Sequence, residues 1–118
     1  MKESIIRNKS FQFSLKIIQL YKKLLNEKEF IISRQLLKSG TSIGANIEEA
    51  LAGQSKKDFT AKMSISSKEA RETKYWLRLL KESELTKIKV NDLLDNIEEI
   101  IRMLTSIVKT SQNNLTKN

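Results

Sequence analysis

Residues 59–80, FTAKMSISSKEARETKYWLRLL, decide the fold of this chain. Apolar and small side chains recur there at steps of four and three, which is the heptad spacing of one helix face. These seam positions are Phe59, Met63, Ser66, Ala70, Thr73, Leu77 and Leu80. A second face of the same helix carries Ile65, Glu69, Glu72, Trp76 and Leu79. Ser55 is placed to cap the helix, with Asp58 three residues on, as in a capping box.

Three further amphipathic segments flank this helix. The first runs from about Phe11 to Leu25, and the last runs from about Lys89 to Lys109. The second helix is predicted to begin with Ser33 as its N-cap, because a serine hydroxyl accepts a bond from a free backbone N–H. Gly53 is predicted to end it, since a left-handed conformation costs glycine little.

The predicted architecture is all-α, an up-and-down antiparallel four-helix bundle joined by short connections. The chain has no proline and only three glycines, which disfavours a turn-rich β fold. The bundle is expected to occupy residues 11–110, after an N-terminal extension over 1–10 and before a polar tail over 111–118. Several helices carry two apolar stripes, so one stripe is expected to face a second subunit.

Composition excludes several kinds of chemistry. Without cysteine or histidine, the chain cannot build Cys/His zinc sites, a Cys–His or Ser–His–Asp catalytic group, or a Glu-x-x-His di-iron site. We therefore expect no metal, no cofactor and no enzymatic activity. No signal peptide or membrane-spanning run is visible, and the predicted location is cytoplasmic.

The second helix contains a locally unusual stretch with two glycines one turn apart. Gly40 and Gly44 each cost about 1 kcal/mol relative to alanine, so the pattern predicts close approach of another backbone. A polar face lies beside them and is expected to form a structural cluster with the third helix, where Lys68 or Arg71 would supply the counter-charge. The predicted cluster consists of Ser42, Asn46, Glu49, Lys68 and Glu72.

Three stretches together resemble a known family. They read SGTSIGANIEEA (39–50), SKKDF (55–59) and KMSISSKEARETKYWLRLL (62–80). The chain resembles the four-helix-bundle proteins encoded in intervening sequences of bacterial 23S ribosomal RNA genes, which are similar to the accessory variability determinant proteins of diversity-generating retroelements. The residues that carry the resemblance are Asn46, Glu49, Lys68, Glu69, Ala70, Glu72, Tyr75, Trp76 and Leu77.

The resemblance implies properties that periodicity alone does not. It implies an up-and-down bundle assembled as a homopentamer. It also implies binding to RNA or DNA, as an accessory to a reverse transcriptase or to ribosomal RNA.

The charge pattern independently favours a polyanionic partner. The formal net charge is +8, and the third helix carries Arg71, Lys74, Arg78 and Lys81 at steps of three and four. With cations of the second helix, these residues are expected to form one basic surface that contacts phosphates without reading bases. The predicted nucleic-acid-binding residues are Arg34, Lys38, Lys56, Lys57, Lys62, Arg71, Lys74, Arg78 and Lys81.

Two other hypotheses stay open at this stage. The chain could be a protein–protein interaction scaffold with incidental positive charge, and its partner binding would then survive high salt. A weaker hypothesis is an enzyme that uses Glu49 and Lys68, which requires both side chains to line an interior pocket.

Overall fold

The long third helix organises a bundle of four antiparallel helices. The computed structural model describes residues 2–117. Its helices are α1 (Lys2–Asn26), α2 (Ile32–Leu51), α3 (Lys56–Ser83) and α4 (Asn91–Thr116). Each helix packs against the next, and α4 closes the bundle against α1, over overall dimensions of 53 × 22 × 22 Å. The predicted up-and-down four-helix architecture is confirmed.

The seam of α3 forms the centre of the core. Met63, Ala70 and Leu77 are fully buried, as is Leu80, whereas Phe59 at the end of the seam is half-buried. The small polar seam residues are also buried, and they bond to α2. Ser66 donates to the carbonyl oxygen of Ile43 at 2.8 Å, and Thr73 donates to the hydroxyl of Ser39 at 2.9 Å. These bonds satisfy polar groups that would otherwise destabilise the core.

The two glycines of α2 lie beneath α1. A Cβ atom on Gly40 would stand 2.9 Å from both γ carbons of Ile17, and one on Gly44 would stand 3.4 Å from the hydroxyl of Ser10. Close packing of α1 offsets the helix-propensity cost of these glycines. The predicted backbone approach is confirmed at Gly44, where a Cβ atom would stand 3.6 Å from the backbone carbonyl carbon of Ser10, whereas Gly40 is packed by the Ile17 side chain.

The first helix begins earlier than predicted. Residues 2–10 belong to α1, so the predicted N-terminal extension is wrong for them, and Met1 lies outside the described residues. Ile6 and Ser10 are buried and continue the four-three-four spacing of Phe13 and Ile17. The buried face of this part of α1 consists of one isoleucine and one serine. With polar and charged residues around them, these two positions give only a weak sequence signal for a helix.

The start of α2 differs in its capping residue. Ser33 is not the N-cap; it lies buried in the first turn, where its hydroxyl donates to the carbonyl oxygen of Glu29 at 2.7 Å. The Glu29 carboxylate instead accepts the backbone N–H groups of Ile31, Ile32 and Ser33 at 3.1, 3.0 and 2.6 Å. Partial burial opposes ionisation, but these bonds outweigh it and lower the pKa of Glu29.

The other helix ends also refine the predicted boundaries. The Ser55 cap is confirmed, since its hydroxyl accepts the N–H of Asp58 at 3.0 Å. α2 ends at Leu51, but Gly53 is not left-handed; among residues 2–117 the positive φ angles belong to Lys28 and Glu84. α4 begins two residues later than predicted and continues to Thr116, so the predicted polar tail is helical up to that residue, and Asn118 lies outside the described part.

Candidate nucleic-acid interface

Four predicted basic residues of α3 follow one stripe towards α4. Arg71 donates to the hydroxyl of Thr105 at 3.3 Å, and Lys74 forms an ion pair with Glu98. Arg78 pairs with Glu82 at 2.9 Å within α3, and Lys81 is exposed. Acidic side chains therefore lie among these cations, and the stripe is not a row of unpaired charges.

The acids do not neutralise this stripe. The hydrogen bond from Lys74 lowers the pKa of Glu98, burial opposes this more weakly, and the positive charges of Lys74, Arg102 and Arg71 each lower the pKa a little further. Arg78 lowers the pKa of Glu82 chiefly through its hydrogen bond, and Lys81 contributes a smaller effect. We define the α3–α4 basic face as Arg71, Lys74, Arg78, Lys81 and Arg102. These five cations act on the carboxylates of Glu82 and Glu98. Asp95 shares the stripe of Glu98 and Arg102 on α4, and the five cations still outnumber the three acidic side chains.

The predicted cations of α2 do not join this face, so the expectation of one continuous surface is wrong. Lys38 lies near Glu69. Burial raises the pKa of Glu69, the negative charge of Glu72 adds to this effect, and the positive charge of Lys38 opposes it without reversing it. Lys62 bridges from α3 to Glu49 of α2 at 3.1 Å. These contacts place Lys38 and Lys62 on the α2–α3 side of the bundle, where carboxylates are close by.

The remaining predicted cations are exposed, and two of them lie at the far end of α3 from Lys81. Arg34 is exposed on the first turns of α2, and Lys56 and Lys57 are exposed on the first turn of α3. Lys56 also lines a cleft of about 560 Å³ at the end of the bundle, together with Lys2 and Asn114. Because α3 rises about 1.5 Å per residue, this end lies more than about 30 Å from Lys81.

The predicted polar cluster is not assembled between α2 and α3. Ser42 and Asn46 bond within α2, to the carbonyl oxygens of Lys38 and Ser42 at 2.7 and 2.8 Å. Glu49 takes Lys62 as its counter-charge, in place of Lys68 or Arg71. The buried hydrogen bonds between the two helices come instead from the hydroxyls of Ser39, Ser66 and Thr73. Small hydroxyl side chains fit between closely packed helices. The longer charged side chains do not fit there and extend into solvent.

The enzyme hypothesis loses its geometric basis in this arrangement. Glu49 and Lys68 are both exposed, so neither lines an interior pocket. Glu72 is exposed too, and it accepts a hydrogen bond from the indole N–H of Trp76 at 3.3 Å. Within residues 2–117, no group of three acidic side chains is placed to hold a metal ion, and no helix is long and apolar enough to cross a membrane.

A second set of cations, on α1, was not predicted from the sequence. Lys9 donates to Glu99 at 3.0 Å, and Lys16 donates to the side-chain oxygen of Asn96 at 3.0 Å. Lys2 likewise reaches the hydroxyl of Ser106 at 3.3 Å. The seven-residue spacing of these lysines is visible in the sequence and could have indicated them. The denser positive charge on α3 is the more obvious signal.

The outer side of α1 carries exposed apolar side chains. Phe11, Leu15 and Ile18 are 58%, 44% and 37% exposed and are spaced by four and three residues. This spacing gives one helix surface that the bundle itself does not cover.

The fold and sequence agree with one known family. Residues 2–106 match the family described as 23S rRNA-intervening sequence protein. The chain belongs to this family. A comparison with curated proteins gave no match.

A solved structure gives the same fold. It is a protein of unknown function from the S23 ribosomal protein family of Bacteroides thetaiotaomicron, and it is 48% identical to this chain. The match covers 92% of this chain and 99% of that one, with a TM-score of 0.87. The family predicted from the three sequence stretches is thus confirmed.

Proposed function

We propose that this protein is a non-catalytic, self-associating helical bundle that binds the phosphates of nucleic acid. The observation that supports this most directly is the charge excess of the α3–α4 basic face, where five cations outnumber Glu82, Asp95 and Glu98. A flexible polyanion can exchange with surface carboxylates, because exposed ion pairs are each worth about 0–1 kcal/mol.

The same face favours binding without sequence recognition. Its cations are long side chains at the surface that suit phosphate contact. The aromatic side chains of Tyr75 and Trp76 contact each other and do not form a stacking surface for bases. Their rings meet edge to face at 5.2 Å, and the Trp76 indole bonds to Glu72. Such a surface gives electrostatic binding that weakens steeply with salt.

Self-association would strengthen weak phosphate contacts. The exposed stripe of Phe11, Leu15 and Ile18 supplies an apolar surface of the kind that protein interfaces cover. In a closed ring, such as the homopentamer that the resemblance implies, each copy would present its own basic face. A long nucleic acid touching several copies would then bind with increased avidity.

The test is a charge reversal of the face that leaves the Lys74–Glu98 bridge intact. The variant Arg71→Glu, Arg78→Glu, Arg102→Glu should lose most affinity for RNA and DNA at about 50 mM salt. The control reverses three exposed cations elsewhere, Lys22→Glu, Arg34→Glu and Lys57→Glu, with the same change in net charge. It should retain more affinity than the face variant.

Two outcomes contradict the proposal. One is a wild-type protein with no affinity for RNA or DNA at low salt. The other is equal loss in both triple variants, which would mean that net charge, and not this face, governs binding. A protein partner that stays bound at high salt, with no nucleic-acid affinity, would support the scaffold hypothesis instead.

A further inference from the structure

The α1–α4 seam carries a regular line of lysines. Lys2, Lys9, Lys16 and Lys23 recur every seven residues along α1. Seven residues make nearly two helical turns, so the four side chains share one face at intervals of about 10.5 Å. Together they define the lysine ladder, which spans about 31 Å.

The structure places three of these ammonium groups along the seam. They reach α4 at Ser106, Glu99 and Asn96, over 3.3, 3.0 and 3.0 Å. Only one of these three partners, Glu99, carries a negative charge. Lys23 is exposed one heptad further along α1. The four lysines therefore outnumber the one carboxylate that binds them.

The fold depends little on these contacts. The Lys9 and Glu99 side chains are 38% and 47% exposed, and a pair so solvated contributes little to stability. Between Lys9 and Lys16 the surface forms a depression of about 230 Å³, which Asn8, Gln12 and Asn96 help to line. Side-chain amides there can donate and accept hydrogen bonds. The ladder is thus a charged, accessible and amide-lined track.

The geometry points to single-stranded nucleic acid as the ligand of this track. Along a stacked strand the phosphates advance about 3.4 Å per nucleotide in the direction of the axis, but such a strand also winds around that axis. A duplex strand winds once around its axis in about 34–36 Å and cannot follow a straight line of about 31 Å. A flexible single strand can. The inference shares its ligand class with the proposed function but concerns a different face.

The first test neutralises the ladder without reversing its charge. The variant Lys9→Gln, Lys16→Gln, Lys23→Gln is compared with Lys22→Gln, Lys57→Gln, Lys89→Gln, which removes the same charge elsewhere. The probe is an oligouridylate long enough to span the ladder. The slope of log affinity against log salt should fall by about 0.7 for each phosphate that the variant no longer neutralises, and it should fall further in the ladder variant than in the control.

The second test predicts a gain. Glu99→Gln removes the one carboxylate that holds a ladder lysine. Affinity for the oligouridylate should rise roughly two- to fivefold, which corresponds to a surface pair worth about 0.5–1 kcal/mol. The control Glu48→Gln frees Arg7 on the side of the bundle facing α2 and should raise affinity less.

The outcomes separate this inference from the proposed function. Identical salt slopes in the ladder variant and its control would overturn the ladder, even if the α3–α4 reversal abolishes binding. Loss of single-strand binding in the ladder variant, with the α3–α4 reversal still active, would support the ladder and contradict the proposed face. A wild-type protein that binds no oligouridylate would overturn the ladder, and the proposed function would fall with it only if duplex RNA and DNA are not bound either.

Discussion

Helix α1 contacts its two neighbours in different ways. Towards α2, Gly40 and Gly44 let the backbones approach until Ile17 and Ser10 touch the glycine positions. Towards α4, the lysine ladder spans the seam with long side chains that end on exposed polar atoms. One contact is specified by close packing, and the other leaves a polar surface that is available to a ligand. Stability and binding should therefore respond to different sides of the same helix.

The largest effect is expected where the packing is closest. Gly40→Val would force its side chain against Ile17, which is fully buried and cannot move outward. We expect a loss of about 1–3 kcal/mol in the free energy of unfolding, measured by urea denaturation. Ala45→Val, at an exposed position of the same helix, serves as the control and should change stability by less than about 1 kcal/mol. Because valine has a higher helix propensity than glycine, a Gly40→Val variant that loses no more stability than the control would contradict the close packing at this position.

A smaller effect is expected at the turn that joins α1 to α2. Glu29→Ala removes the acceptor of three backbone N–H groups and should cost about 0.5–2 kcal/mol, the range of a missing helix cap. Thermal unfolding of this variant beside Glu3→Ala, an exposed glutamate in the first turn of α1, isolates the capping effect. A Glu29 variant as stable as the wild type would contradict the assigned cap.

The same carboxylate gives a pH dependence whose sign follows from its lowered pKa. Because the folded pKa lies below the ordinary value of 4.5, the ionised form stabilises the fold. Its contribution is complete above 4.5 and disappears as the pH falls through the lower folded pKa. Glu29→Gln should therefore narrow the stability difference between neutral and acidic pH. An unchanged pH profile would exclude this role.

The smallest effect is expected on the α4 side of α1. Lys16→Ala removes a solvated bond to Asn96 and should change stability by less than about 0.5 kcal/mol. Chemical denaturation would measure this, and nucleic-acid binding should respond more strongly than folding. A destabilisation comparable to that of Gly40→Val would show that the seam holds the bundle together.

The sequence predicted what periodicity and steric size control. The heptad seam of α3 and the approach at Gly44 follow from spacing and side-chain volume, which are local properties of the chain. The start of α1 was missed because polar residues separate Ile5 and Ile6 from Phe11, and the buried position between them is a serine, Ser10. The capping role of Glu29 was missed because this glutamate precedes the helix by three residues, and Ser33 offered a more familiar cap.

The candidate site was less predictable because long charged side chains form ion pairs with residues on other helices. The pairing of Lys62 with Glu49 and of Lys74 with Glu98 depends on which helix faces which. The spacing of cations on a single helix predicts the basic stripe of α3, but it does not predict which acidic side chains of other helices lie beside that stripe. The separation of the α2 cations from the α3–α4 basic face therefore required the packed structure.

The central claim is that exposed cations of this bundle hold nucleic acid through phosphates. The most direct measurement is the affinity of the wild-type protein for an oligouridylate as salt rises from about 50 to about 200 mM. Log affinity is expected to fall linearly with log salt, with a slope of about −0.7 per phosphate contact. No binding of the oligouridylate or of duplex RNA and DNA at the lowest salt, or an affinity that salt leaves unchanged, would contradict the claim.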